Sequence, residues 1–408
     1  MGAGDAVARL VRDEGTRVLA TLVRVTGSID LAQDAAQDAV IRALETWPTD
    51  GVPDQPRAWL LLTAKRRAID LLRREARRAG KEAEAMQLFD PSDEPDAEVR
   101  DDLLRLVFTC CHPCLSVDAQ VALALRTLGG LSTAEVARGL MVSEASMAKR
   151  LTRAKQKIAQ AGIPYRVPAA AELPGRLAGV AATVYLIFNE GYAPGAGGDL
   201  VRGALTAEAI RLARLLVELM PDEPTLLGLL ALLLLHSARH PARVDAAGQP
   251  VLLPAQDRSR WDTELIKEGV SLVGTGLRRC PDRPDAYVVQ AAIAACHALA
   301  PSYAETNWAA VISWYDVLLT ISDTAVVRLN RAVAVAERDG ARAGLALVDA
   351  IGGLVTYPWW HATRAELLRR LDRVGPAREA YLRALDLPMS EPQAVHLRGR
   401  LASLGGAG

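Results

Sequence analysis

Residues 131–158 read LSTAEVARGLMVSEASMAKRLTRAKQKI, two short helical patterns joined by a tight turn. Ser132 followed by Glu135 is a capping box, and Val136, Ala137 and Leu140 give the first helix an apolar side. Gly139 to Val142 supply the turn before Ser143 caps a second helix. Along that helix Ala148, Leu151, Ala154 and Ile158 recur at spacings of three and four. Ser146, Arg150, Arg153 and Lys157 share the other side, with Lys149 beside them. One face is fitted to packing and the other to a polyanion, because arginine pairs bidentately with guanine and serine or lysine serves bases or backbone. The unit reads as a helix-turn-helix; the alternative is a solvated basic helix.

Length and composition agree with an all-α chain of several domains. The 408 residues exceed one ordinary core, and half of them are apolar while only 4% are aromatic, which favours packed helices over sheets. The formal net charge is zero, so attraction to nucleic acid has to be local. Five cysteines and no signal-peptide pattern point to a reducing, cytoplasmic setting. The longest apolar run, Leu226 to Leu235, is too short to span a bilayer, and no membrane segment is expected.

Upstream of the motif, Val7 to Val25 has helical spacing, with Leu10, Val11, Val18 and Leu22 apolar. A second helix is expected over Asp30 to Trp47, packing through Ala36, Val40, Ala43 and Trp47. It turns Asp34, Gln37, Asp38 and Arg42 another way, a face that solvent alone also explains. Thr49 to Gln55 read as a loop, and Pro56 opens a third helix reaching Arg78. Between Arg57 and Lys81 nine basic residues face only Asp70 and Glu75. Trp59, Leu62, Ile69 and Leu72 give this basic helix a packing side; a membrane-surface helix is the competing reading. Residues 81–102 reverse the sign, contain Pro91 and Pro95, and read as an acidic linker.

Taken in series, DLAQDAAQD at 30–38, PRAWLLLTAKRRAIDLLRR at 56–74 and GGLSTAEVARGLMVSEASMAKRLTRAKQKI at 129–158 resemble the two modules of an extracytoplasmic-function (sigma-70 family) RNA polymerase sigma factor. The resemblance implies a region 2 helical bundle over residues 1–80 and a region 4 helix-turn-helix domain over 103–165. It implies that Asp34, Gln37, Asp38 and Arg42 dock on the clamp of core RNA polymerase, whose flap is a further contact. It implies that Thr49 and Asp50 lie at a loop receiving an extruded base of the −10 element. Arg57, Trp59, Lys65, Arg66, Arg67, Arg73 and Arg74 would then guide the parted strand. Ser146, Lys149, Arg150, Arg153 and Lys157 would read or clamp the −35 element. Arg66 stands where the family often has asparagine, and Trp47 and Trp59 read first as core residues.

FTCCHPCL at 108–115 sets Cys110, Cys111, His112 and Cys114 close together, but no second C-x-x-C pair follows. A metal site or thiol switch stands beside the simpler reading, small buried residues at a helix turn. Residues 166–408 exceed what a minimal sigma factor needs. An apolar helix from Leu173 to Phe188 runs into a glycine-rich turn, NEGYAPGAGG, and VYLIFNEGY at 184–192 resembles a signature of the sigma-factor group with a long tetratricopeptide-like extension. Asn189 and Glu190 are candidates for a docking site or for a helix C-cap. Ala332, Gly344, Val348 and Ile351 recur 33 residues later as Ala365, Ala377, Tyr381 and Ala384, so helical hairpins are expected. The turn AAGQP, between Val244 and Val251, suggests a small hairpin or extended loop. Arg258 and Arg260 are candidate contacts to the sigma modules, and His236 with His240 reads as a surface pair.

No Ser/His/Asp set, paired carboxylate site or metal cage supports an enzyme or a bound cofactor. Three classes of function remain: a sigma factor with core polymerase and promoter DNA as partners, a free-standing helix-turn-helix regulator, and a repeat scaffold that binds proteins. In the first, the extension meets a regulatory protein or the chain's own sigma modules.

Overall fold

A computed structural model of the chain describes residues 3–79, 96–140, 142–163, 165–169, 171–192, 199–243, 245, 251–389 and 391–404. Its elements are α-helices and short 3-10 turns, with no strand among the described residues. They form two compact units, residues 1–190 and 191–408.

The first unit opens with α1 (Ala3–Thr26), α2 (Ile29–Asp50) and α3 (Pro56–Ala79), each packed on the other two. Alanines let these helices approach closely. The buried stripe of α2 is Ile29, Ala32, Ala35, Ala39, Ala43 and Trp47; of the expected stripe Ala43 and Trp47 are in it, Val40 packs against it, and Ala36 is only half-buried. In α3 the row Leu60, Ala64 and Ala68 is buried instead of the expected Leu62, which is 42% exposed. At the alanine positions small side chains admit a neighbouring backbone that leucine would hold off. The loop after α2 is shorter than read: Thr49 and Asp50 close the helix, and Gly51 ends it at φ 86°, donating its N–H to the Trp47 carbonyl.

Next come α4 (Asp96–Cys110), α5 (Val117–Thr127), α6 (Thr133–Gly139), α7 (Glu144–Gln160) and α8 (Leu173–Tyr192). The acidic linker is thus helical from Asp96, and residues 80–95 lie outside the described residues. Asp102 is not solvated: it is 1% exposed and accepts from Arg24 Nε and Arg105 Nη1, both at 2.9 Å. This pair ties α4 to α1. The unit reaches Glu190 because α8 packs back on it, with Thr183 donating to Gln120 Oε1 at 3.2 Å and Arg176 donating to the Phe108 carbonyl.

The second unit is built on α9 (Asp199–Leu219), α10 (Pro224–Ser237), α11 (Thr263–Arg279) and α12 (Ala286–Leu299). The apolar run Leu226 to Leu235 is buried on every side of α10, packed by α9, α11 and α12. That is why it has no polar face. Gly228 is where α12 comes closest, since a Cβ there would lie 2.3 Å from the Val288 backbone nitrogen. Gly228→Ala should therefore cost about 3 kcal/mol by overpacking. Urea unfolding should show it as a lower midpoint, whereas Gly375→Ala, with open space around it, should leave the midpoint unchanged.

The chain continues through α13 (Trp308–Ile321), α14 (Ala325–Asp339), α15 (Ala341–Asp349), α16 (Pro358–Arg370), α17 (Val374–Leu385) and α18 (Glu391–Ser403). Helices α14/α15 and α16/α17 are hairpins, and Ala332, Val348, Ala365, Ala377, Tyr381 and Ala384 are buried at 0–1% exposure. The same spacing governs charges: Asp316 pairs with Arg331 at 2.6 Å, and Asp349 pairs with Arg364 at 2.7 Å, 33 positions on. At the expected AAGQP hairpin, residues 246–250 lie outside the described residues. Val244 also lies outside them, the described flank Val251 to Leu253 is not a strand, and Val251 N–H donates to the Arg243 carbonyl at 2.7 Å.

Candidate nucleic-acid interface

The helix-turn-helix is set by its caps. Ser132 Oγ accepts from the Glu135 N–H at 3.2 Å, and Glu135 Oε2 accepts from the Ser132 N–H at 2.7 Å. Those bonds from the Ser132 side chain and backbone hold the Glu135 carboxyl below the usual range. Ser143 caps α7 by accepting from the Ser146 N–H at 3.2 Å. The inner row of α7 is Met147, Leu151, Ala154 and Ile158; Ala148, expected inside, is exposed. The longer thioether fills the space nearest the turn, a choice that spacing alone does not make.

Ser146, Lys149, Arg153 and Lys157 stand exposed in one row along α7. Arg150, one turn on from Ser146 and on the same face, is half-buried and lies 3.8 Å from Asp118 of α5. Lys155, which the sequence reading did not single out, turns to α2 and donates to Asp30 Oδ1 at 2.5 Å and Gln33 Oε1 at 2.8 Å. With Thr16 Oγ1 donating to the Leu128 carbonyl at 3.0 Å, this contact joins the helix-turn-helix to the three-helix bundle.

On α2, Asp34, Gln37 and Arg42 are exposed, and Asp38 is half-buried against Arg67 of α3. Two apolar residues share this side: Ile41 is 46% exposed and Leu44 is 47% exposed. They were missed because each looks like core by composition; their offsets of seven from Asp34 and Gln37 are the signal.

The basic residues of α3 divide into two sets. Arg66, Arg73 and Arg74 are exposed, and Leu62 lies along the same side. Lys65 is only 6% exposed, which removes it from any strand-guiding surface. Arg67 is taken by Asp38, and Arg57 lies 3.4 Å from Glu14 Oε2. Trp59 is half-buried, edge-on to Trp47 with ring centroids 5.4 Å apart. Thr49 and Asp50 are exposed at the end of α2, where Thr49 Oγ1 donates to Asp50 Oδ1 at 3.2 Å.

Asn189 and Glu190 lie in the last turn of α8, not in a glycine-rich loop, and Glu190 is exposed. Arg258 is an internal strut: its Nη1 donates to the His297 carbonyl and, at 2.7 Å, to the Ala300 carbonyl, which commits that nitrogen within the second unit. Arg260 is exposed. His236 also departs from the surface reading. Burial, then Arg239, Arg243 and His297, push its imidazole down to about 3, while His240 is exposed.

Cys110 and Cys111 are buried, and burial pushes the Cys111 thiol up to about 12. That opposes the thiolate which metal or redox chemistry needs. His112 Nδ1 instead accepts from the Cys114 N–H at 3.1 Å. Among the described residues no group of three or more His, Cys, Asp or Glu stands together to hold a metal, and no helix is long and apolar enough to cross a membrane.

Residues 10–78 match the sigma-70 region 2 family, and residues 105–158 match sigma-70 region 4. Residues 176–276 match a family of unknown function, DUF6596. An uncharacterized protein of Rhizobium meliloti (strain 1021) is 42% identical over 398 residues, covering 95% of this chain and 93% of its own. The ECF RNA polymerase sigma factor SigL of Mycobacterium tuberculosis is 32% identical over 155 residues, 37% of this chain and 87% of its own. SigK of Mycobacterium ulcerans, also an ECF RNA polymerase sigma factor, is 29% identical over 157 residues, 37% of this chain and 82% of its own. Regions 2 and 4 lie in the order and on the helices described above, and the chain belongs to the extracytoplasmic-function family of sigma-70 RNA polymerase sigma factors, with a C-terminal extension.

Proposed function

We propose that this sigma factor binds core RNA polymerase through the exposed side of α2 and directs initiation at promoters with −10 and −35 elements. The observation that carries the reading is the row Asp34, Gln37, Ile41 and Leu44, an apolar and polar surface on a helix whose other side is fully packed. Solvation explains the carboxylate and the amide but not two exposed branched aliphatics beside them. The polymerase clamp and flap are the proposed partners, and phosphodiester synthesis belongs to the polymerase.

Promoter contacts divide between two surfaces. Arg66, Arg73 and Arg74 of α3 offer a positive track for a parted strand, and Thr49, Asp50 and the 51–55 loop lie at the opening end of that helix. Ser146, Lys149, Arg153 and Lys157 of α7 face a duplex groove. Arg57, Lys65 and Arg67 support α3 from within the unit. The extension is a regulatory module that meets a partner protein or the sigma modules, with Glu190 and Arg260 as exposed contacts.

The test is size-exclusion chromatography of the full chain with bacterial core RNA polymerase, followed by run-off transcription. Co-elution and promoter-dependent transcripts are expected. Binding of duplex DNA without co-elution would replace this reading with a free-standing regulator. A cut at residue 165 would strip α8 from the first unit, so the full chain is the proper reagent.

A further inference from the structure

In the second unit Tyr192 lies against the end of α10, and three arginines gather there. Arg243 Nη1 donates to the Tyr192 carbonyl at 2.8 Å, and its guanidinium lies 3.6 Å from the centre of the Tyr192 ring. Tyr192 Oη donates in turn to the His236 carbonyl at the end of α10, at 3.2 Å. Arg258 caps α12, and Arg239 Nε reaches Gln256 Oε1 at 3.3 Å. Arg239 and Arg258 both lie over the Trp261 ring, with guanidinium carbons 5.6 and 4.5 Å from its centre. Among the described residues these guanidinium groups bond to carbonyls and one amide, not to carboxylates; Glu305 acts on Arg258 only through space.

Helix C-termini alone do not balance this charge. Each supplies roughly half a negative charge, so three offset about half of three guanidinium groups. Three donors or acceptors are also buried without a partner: Arg258 Nη2, Trp261 Nε1 and His297 Nδ1. Trp261 itself is only 4% exposed. Burial pushes His236 down to about 3 and His297 to about 4, and the neighbouring arginines push in the same direction. A half-buried positive cluster whose buried donors are unused is costly unless an anion completes it.

We propose that Arg239, Arg243, Arg258 and Trp261 form a binding site in the extension for a small oxyanion, the phosphate or carboxylate group of a free metabolite. Carbonyl bonds hold Arg243 and Arg258 in place, which leaves Arg258 Nη2, the Trp261 N–H and the Arg239 guanidinium to meet the ligand. The site falls within the stretch that matches the family of unknown function. It gives the regulatory module an input of its own, and it stands whether or not the polymerase reading does.

The test is isothermal titration of the full chain with inorganic phosphate and, separately, with citrate, each against sodium chloride at matched ionic strength. Saturable binding of either anion is expected, and which one binds separates the phosphate source from the carboxylate source. Arg239→Gln should weaken binding at least tenfold, whereas Arg383→Gln, on the exposed side of α17, should not change it. Should Arg239→Gln fail to fold, Trp261→Phe keeps the ring and removes only the N–H, and a severalfold loss is expected. Neither anion binding beyond chloride, or an unaltered affinity in the folded Arg239 or Trp261 variant, would overturn the proposal.

Discussion

Changing Ile41 and Leu44 together to glutamate should abolish co-elution with core RNA polymerase and promoter-dependent transcription while leaving the helical circular dichroism unchanged. Both residues are nearly half exposed, so the free protein tolerates a carboxylate at either place. In a docked complex the loss is larger. Burying each aliphatic side chain is worth about 1.5–3 kcal/mol, and a desolvated carboxylate adds a penalty of its own. A combined loss above about 3 kcal/mol lowers affinity more than 100-fold. Wild-type co-elution by this variant would remove α2 from the interface. Asp38→Arg is a less selective probe, because it sets a second cation beside Arg67 and so disturbs α2–α3 packing as well.

The second large effect is on duplex recognition. Lys149→Ala with Arg153→Ala should weaken binding of a −35 duplex by about 2–4 kcal/mol if both reach bases or phosphates. Contacts to phosphate should also flatten the dependence of log K on log salt by about 0.9 for each one lost. Arg150→Ala should do less, since Asp118 already holds that side chain against α5. A filter-binding salt series on the three proteins decides the matter. A larger effect from Arg150 than from the pair would mean that Arg150 leaves Asp118 to meet the DNA.

Much of this was legible from local rules. The Ser132–Glu135 capping box, the Ser143 cap and Pro56 at a helix start are interactions within one turn of chain, and they stand where the sequence puts them. The 33-residue spacing was also readable, because small residues at Ala332, Ala365 and Ala377 mark where helices cross. Its charged counterpart, the Asp316–Arg331 and Asp349–Arg364 pairs, was there to be found by the same offset.

Errors gathered where an amphipathic helix offers two plausible faces. Spacing names a row within about one position, and a shift of one residue turns a side chain by about 100°. That is enough to bury Met147 and expose Ala148, and to bury Lys65 and expose Leu62. Sequence alone therefore determined the all-α class through composition, the caps of the helix-turn-helix through local spacing, and the order of the modules through resemblance. Tertiary structure decided which cations are left for DNA and which are spent inside the fold. Arg67 goes to Asp38, Lys155 to α2, Arg24 to the buried Asp102, and Arg258 to the end of α12. The reason is physical: a charge is committed by whichever partner packing brings within bonding distance, and those partners lie 29 to 125 residues away along the chain.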